Sequence, residues 1–352
     1  MSRSPSRARP GRTIWSLLLL LLLAAGAAAY LLRPKPPQYI TYGDHQVLLL
    51  EDVAPSTLDP QSFHLDENGW MAYSDGQLTA LTGIDVSSHQ GEIDWEKVAS
   101  SGVEFAIIRL GYRGYGSEGT LNLDPYFEQN LEGAKAAGLK VGVYFFSQAI
   151  TVEEAYQEAL FVLEHLDGES LDYPVVYDWE PISGVGARTD GLDSITLTDC
   201  AITFCQTAEL AGYTPMVYYN KPVGYGRYDI SRLTDYDVWF AQYASRPTMY
   251  YDYRIWQYTS SGRVAGISGD VDLNLRFFRD GSKDDLTEVW KDPDSQEDPQ
   301  ELELLKFPPS SALGSCRYKL ADPDVDDTDY KRILEIFQKY NVRYFFYNGG
   351  ND

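Results

Sequence analysis

From residue 81 onward, apolar runs of strand length alternate with longer stretches of helical period. The runs are GIDV at 83–86, EFAIIRL at 104–110, KVGVYFF at 140–146, PVVYDWE at 174–180, TPMVYYN at 214–220, DVWFAQY at 237–243, RIWQYT at 254–259 and DVDLN at 270–274. Runs buried on both faces, separated by amphipathic segments, are the pattern of parallel strands joined by crossover helices. Three of the intervening helices carry clear punctuation. One starts at Asp124-Pro125 and ends at Gly138, one opens on a capping box from Thr151 to Glu154, and one runs from Thr198 to Gly212. Helical signals thin out after Tyr219. The expectation is therefore an α/β fold, a (β/α) barrel of eight strands with helices mainly in its first five units. A doubly wound sheet is the alternative, but no G-x-G-x-x-G turn follows the first strand.

The pattern before residue 81 is different. Residues 14–32, IWSLLLLLLLAAGAAAYLL, form an uncharged run of 19 preceded by Arg3, Arg7, Arg9 and Arg12. That is about the ~20 residues a helix needs to cross a bilayer, and the flanking arginines put the N-terminus in the cytoplasm. The competing reading is a cleaved signal peptide, with Ala27-Ala28-Ala29 as the small-residue cleavage site. Residues 1–13 are then a basic cytoplasmic tail, 14–32 a transmembrane anchor or signal segment, and 33–80 an extracytoplasmic stalk. The stalk opens on Pro34, Pro36 and Pro37 and holds a short hairpin around Asn68-Gly69, with a role in spacing or in packing against the next domain. The barrel occupies 81–279. Residues 280–352 form an acidic linker and a small C-terminal extension, to which no function is assigned.

The chain has 352 residues, 29 Lys and Arg against 52 Asp and Glu, and a net charge of −23. Such a surface repels phosphate backbones, which sets nucleic-acid partners aside. Six basic residues lie within residues 1–35, which hold no acid, so the remainder carries 23 − 52 = −29. Cys200 and Cys205 fall on one predicted helix at a spacing too long for a disulfide. The four histidines are scattered without zinc-ligand spacing, so neither a metal nor a cofactor is expected.

The chemistry concentrates in YPVVYDWEP. Asp178 and Glu180 stand two apart near the end of a predicted strand, and side chains at i and i+2 share a strand face. In a barrel, the C-terminal strand ends face the active site. Asp85 ends the first strand and Asp272 lies on the last, which closes against the first, so acids from three strands meet above one pore. Carboxyls so close cannot all ionise cheaply, and one becomes available as a general acid. A calcium site is the competing reading, but no D-x-D-x-D-G loop accompanies the acids.

With these motifs in hand, the run 83–278 resembles glycoside hydrolase family 25, the lysozymes that cut the β-1,4 bond between N-acetylmuramic acid and N-acetylglucosamine. The resemblance rests on GIDVSSHQGEIDW, FAIIRLGYRG, AAGLKVGVYFFS, VVYDWE, MVYYN, DVWFAQY and WQYTSSGRVAGISGDVDLN, in that order. It implies an eight-stranded barrel and an N-acetylmuramidase acting on peptidoglycan glycan strands; the apolar run 14–32 adds the expectation of a cell-membrane tether with the catalytic domain outside. By motif, Glu180 is the general acid. Asp178 stabilises the oxocarbenium-like centre or orients the substrate's acetamido group, and Asp85 and Asp272 flank the pair. Candidates for the sugar cleft are Tyr144, Tyr218, Trp256 and Gln257, since rings stack on pyranose faces and amides bond hydroxyls. Arg109, ending the second strand, is expected to pair with the acid cluster or to form a structural ion pair. His89 is expected to organise its loop.

The family 18 chitinase motif also ends in D-x-E but needs further acids upstream, where position 176 is Val and 174 is Pro. A second alternative is a membrane-anchored barrel that binds glycan without cutting it. Two features stand apart from the resemblance: the chain shows no wall-binding repeats, and its exported part is acidic although bacterial walls are often anionic.

Overall fold

The computed structural model describes residues 37–182 and 184–279. The expected basic tail and membrane segment, the first residues of the stalk and the whole of 280–352, Cys316 included, lie outside the described residues. Among those described, no helix is long and apolar enough to cross a membrane.

Two antiparallel hairpins come first. β1 (Tyr39–Tyr42) pairs with β2 (His45–Leu48), and β3 (Phe63–Leu65) with β4 (Met71–Tyr73). The second hairpin turns through the predicted Asn68-Gly69, where Gly69 takes a φ of 75° that other residues rarely adopt. Then β5 (Leu78–Val86), β6 (Phe105–Arg113), the short edge strand β7 (Leu121–Leu123), β8 (Lys140–Ser147), β9 (Val175–Trp179), β10 (Pro215–Asn220), β11 (Asp237–Ala241), β12 (Ile255–Gly262) and β13 (Val271–Arg279) follow. All except β7 form a barrel, closed where β5 pairs with both β6 and β13. All eight predicted strands are present.

Barrel pairings are parallel with two exceptions. β13 runs antiparallel to both β12 and β5, so the sheet is mixed. The chain after β12 returns by a tight connection without a helix, and a tight connection reverses strand direction whereas a parallel one needs a crossover. This reversal puts the beginning of β13, not its end, at the face where the other strands finish.

Helices fill the first five intervals: α1 (Trp95–Ser100), α2 (Phe127–Ala136), α3 (Val152–Leu166), α4 (Ser194–Leu210) and α5 (Lys221–Gly226). The Thr151 side chain caps α3 by accepting from the Glu154 N–H at 3.2 Å, as its sequence predicts. The return bond of the box shifts by one residue, because the Glu154 carboxylate accepts from the Ile150 N–H. α4 begins earlier than Thr198. Asp193 accepts from the Thr196 N–H and starts the helix there. Cys200 and Cys205 both lie on α4, buried and unpaired.

Strand alternation divides the core in two. Val175, Tyr177 and Trp179 of β9 face outward onto the helices, while Val176 faces the barrel interior with Phe105, Ile107, Met216, Tyr218 and Trp239. Gly83 makes room inside: a Cβ there would lie 2.2 Å from the Phe105 ring. The floor is closed by the Phe105–Tyr173 stack, 4.7 Å between centroids, with the Arg276 guanidinium 4.9 Å from the Tyr173 ring.

Among the described residues no helix covers β12 and β13 from outside, and their outward residues Trp256, Tyr258 and Phe277 are large and apolar. Residues 37–80 take over that job. Phe63 meets Trp256 edge-on at 5.2 Å, Tyr73 meets Phe277 at 5.4 Å, and the Met71 N–H donates to the Tyr258 hydroxyl. Farther up, the Leu50 N–H donates to the Tyr251 hydroxyl, and Ser56 and Ala54 bond the backbone of Tyr250 and Asp252. Of the two roles its sequence allows, the described part of this segment takes that of packing on the barrel.

Candidate active site

The inward parity of the strands selects the site residues. Asp85 on β5, Arg109 on β6, Tyr144 on β8, Asp178 on β9, Tyr218 on β10, Gln257 on β12 and Asp272 on β13 all point into the barrel mouth, and Glu180 follows β9 in the same phase. Asp272 sits directly opposite Asp85 in the antiparallel ladder, where Cα atoms are ~4.5–5.5 Å apart. A cavity of about 170 Å³ opens there, lined by Asp85, Asp178, Glu180, Asp272, Tyr144, Tyr218 and Gln257 together with Val86, Ser87, His89, Gln90, Trp239 and Tyr243. That is smaller than the ~300–1,000 Å³ of pockets that engulf their ligand, as suits a cleft that meets a polymer from one side.

The four carboxyls are not equivalent. Asp85 accepts at its Oδ2 from Gln257 Nε2 at 2.9 Å and from Asn274 Nδ2 at 2.8 Å. Asp178 is buried, and its Oδ1 has no hydrogen-bond partner. Among the described residues, the Glu180 carboxyl receives no hydrogen bond, and its backbone carbonyl is held by Gln148 Nε2 at 3.2 Å. Gln148 is fixed in turn by the Thr189 hydroxyl on its Oε1. Glu180 is thus anchored through its main chain while its acid group stays unspent.

Burial raises every acid in the cluster. Desolvation pushes Glu180 up, and the charge of Asp272 adds to it. Asp178 rises well above the carboxylate range through burial, then through Glu180 and Asp85, with Arg109 opposing. Asp85 rises for the same reason and through Asp272, while the amides of Asn274 and Gln257 pull it back. Asp272 is pushed up to about 6 by burial. A cleft that raises the proton affinity of its acids favours a proton donor among them.

One sequence expectation changes, and for Arg109 the structural ion pair is the alternative realised. Trp256 is not a cleft residue. It is fully buried on the outer face against Phe63, with its Nε1 donating to the Gln242 carbonyl. The reason is strand parity: Trp256 and Gln257 are neighbours on one strand, so they cannot both face the sugar. Arg109 lies close enough to act on Asp178 and Tyr144, yet its guanidinium is spent on Asp124 at 2.7 Å and on the Ser88 hydroxyl. It stays outside the cavity lining and fixes the 3-10 turn Ser88–Gln90 that forms one lip. His89 belongs to that turn and also lines the cavity.

Gln257 lines the cleft as expected, but both ends of its amide are already bonded within the protein. Its Nε2 goes to Asp85, and its Oε1 accepts from the Tyr218 and Tyr243 hydroxyls at 3.0 and 3.2 Å. Tyr243 and Asn274 are absent from the sequence-based list. Tyr243 is 58% exposed beside the acids. Its position was readable, since 239, 241 and 243 share a phase on the run DVWFAQY.

With this geometry, the family model for glycosyl hydrolases family 25 matches residues 84–267. The chain belongs to that family. It is 30% identical over 195 residues to an autolytic lysozyme of Clostridium acetobutylicum, a match covering 55% of each chain. Among solved structures, the modular autolysin LytC from Streptococcus pneumoniae in complex with a synthetic peptidoglycan ligand is similar with a TM-score of 0.52 and 25% identity, over 70% of this chain and 57% of that one. The chain thus spans little more than half the length of these relatives. A short stretch, 16% of this chain, is 48% identical to 14% of a pyrophosphate–fructose 6-phosphate 1-phosphotransferase of Halomonas elongata. The family 25 match spans the barrel from within β5 to just past β12 and includes Asp85, Asp178 and Glu180; Asp272 on β13 lies beyond it.

Proposed function

We propose that this family 25 protein is a peptidoglycan hydrolase, cleaving the β-1,4 bond between N-acetylmuramic acid and N-acetylglucosamine at the mouth of the barrel. The observation that carries this reading is the convergence of Asp85, Asp178, Glu180 and Asp272, from three strands, in one desolvated cleft. Glu180 is the general acid. Its raised affinity for protons and its free carboxyl suit donation to the glycosidic oxygen as the bond breaks. Asp178, buried with one oxygen unpaired, stabilises the oxocarbenium-like centre or holds the acetamido group whose carbonyl attacks it. Asp85 and Asp272 flank the pair and bond water or sugar hydroxyls. The exposed Tyr243 ring is a platform for a pyranose face, with Tyr144 and Tyr218 shaping the wall beneath. The reaction needs carboxyls and water and calls for no cofactor.

The location of the enzyme belongs to the same reading. Residues 14–32 cross the membrane with the N-terminus in the cytoplasm, and the barrel works outside on the cell's own wall. Signal cleavage near residue 30, giving a secreted form, is the alternative. Full-length protein should pellet with membranes through a carbonate wash, and a shorter chain beginning near Tyr30 in the supernatant would overturn the anchor.

Activity is tested by incubating purified peptidoglycan with the protein, reducing the products and identifying the terminal sugar by mass spectrometry. Reduced N-acetylmuramic acid ends are expected. Reduced N-acetylglucosamine ends would mean a different bond is cut, and glycan binding without new ends would mean a non-catalytic module.

A further inference from the structure

The hydrogen bonds behind Asp85 form a chain whose direction is fixed. Trp239 Nε1 donates to Asn274 Oδ1 at 2.8 Å. An indole nitrogen can only donate, so the oxygen end of the Asn274 amide faces Trp239 and the NH₂ end faces Asp85. Gln257 lies in the same sense, with its Oε1 toward the Tyr218 and Tyr243 hydroxyls and its NH₂ toward Asp85. Both amides deliver their hydrogen to one atom, Asp85 Oδ2. Asn274 is wholly buried and lines no part of the cavity.

Four acids share this cleft; burial raises the proton affinity of each, and hydrogen bonds then favour some of the anions over others. Asp85 receives two N–H donors, which favour its ionised form, while the Glu180 carboxyl receives none. Facing Asp85 are Asp272 on the neighbouring strand, Glu180 and Asp178 from β9, and the phenols of Tyr144, Tyr218 and Tyr243. Arg109 lies near Asp178 and Tyr144. None of these groups makes the two-donor contact that the amides make.

We infer that Asn274, oriented by the Trp239 indole, is a positioning residue. With Gln257 it gives the Asp85 anion two donors that burial otherwise denies it, which shifts the shared charge toward Asp85 and the proton toward Glu180, where the reaction needs it. The catalytic part of this inference rests on the proposed muramidase reading. The clamp on Asp85 does not.

The test is a carboxyl ¹³C NMR titration of the full chain labelled at Asp, with the Asp85 resonance assigned by Asp85→Asn. Asn274→Leu is the main variant. Trp239→Phe, which keeps the ring but frees the Asn274 amide to turn, serves if the leucine variant does not fold. The Asp85 midpoint is expected to move up by about half a unit or more in either folded variant. An unmoved midpoint overturns the clamp, whatever the activity on peptidoglycan. On an active protein, the variants should lose about tenfold or more in kcat with little change in KM, and their pH–rate profile should narrow. The basic limb moves to lower pH, because a neutral Asp85 no longer repels the Glu180 anion. A fall in kcat with both limbs in place would mean a merely structural Asn274. Absence of glycan cleavage by the unaltered protein would sink the muramidase reading and leave the titration to judge the clamp.

Discussion

At the residue scale, the acid cluster sets stability against function. Carboxyls whose folded affinity for protons is raised bind more protons in the native than in the unfolded chain, so stability falls as pH rises from the ordinary carboxylate range through the raised values. For Asp272 that window ends at about 6. Asp85→Asn and Asp178→Asn should therefore raise the melting temperature at pH 8, by ~2–4 °C for each kcal/mol of strain removed, and do little at pH 4. Thermal denaturation at both pH values checks this, and equal shifts at the two would contradict it. Activity should follow the same groups. Turnover falls on the alkaline side as Glu180 loses its proton, giving an optimum on the acid side of neutrality. The four acids were legible because D-x-E, the end of the first strand and the beginning of the last fall into a barrel register. Asn274 was not, because an amide in a strand carries no mark of which side chain it will meet.

At the element scale, the eight strands and three of the five helices were readable from apolar runs and caps. What escaped was decided by contacts distant in sequence. The reversal of β13 follows from a tight connection, which a strand pattern does not distinguish from a loop leading to a parallel strand. α1 is too short for its periodicity to stand out. The sequence of residues 37–80 allows spacing or packing, but its sparse apolar residues do not show where: Phe63, Met71 and Tyr73 are buried against strands that no helix covers among the described residues. Phe63→Ala should cost about 3–5 kcal/mol of stability, seen as a lower denaturant midpoint, with KM unchanged in the folded protein. Trp256→Ala should behave the same way. A rise in KM without loss of stability would return Trp256 to the cleft.

At the scale of the whole molecule, a net charge of −23 has to approach a wall that is itself often anionic. Repulsion over that distance is screened as the Debye length shrinks from ~30 Å at 0.01 M to ~8 Å at 0.15 M salt. Clearing of wall suspensions should accelerate over that range, and slowing would indicate a basic docking surface instead. Tethering through residues 14–32 would offset the same repulsion by holding the barrel near its substrate. Each of these expectations depends on the acid at the barrel mouth. The most direct test compares release of reducing ends from peptidoglycan by the unaltered chain and by Glu180→Gln, a near-isosteric change that removes the transferable proton. A folded variant that is slower by ~10³-fold or more is the predicted result. Unimpaired turnover by folded Glu180→Gln would contradict the account.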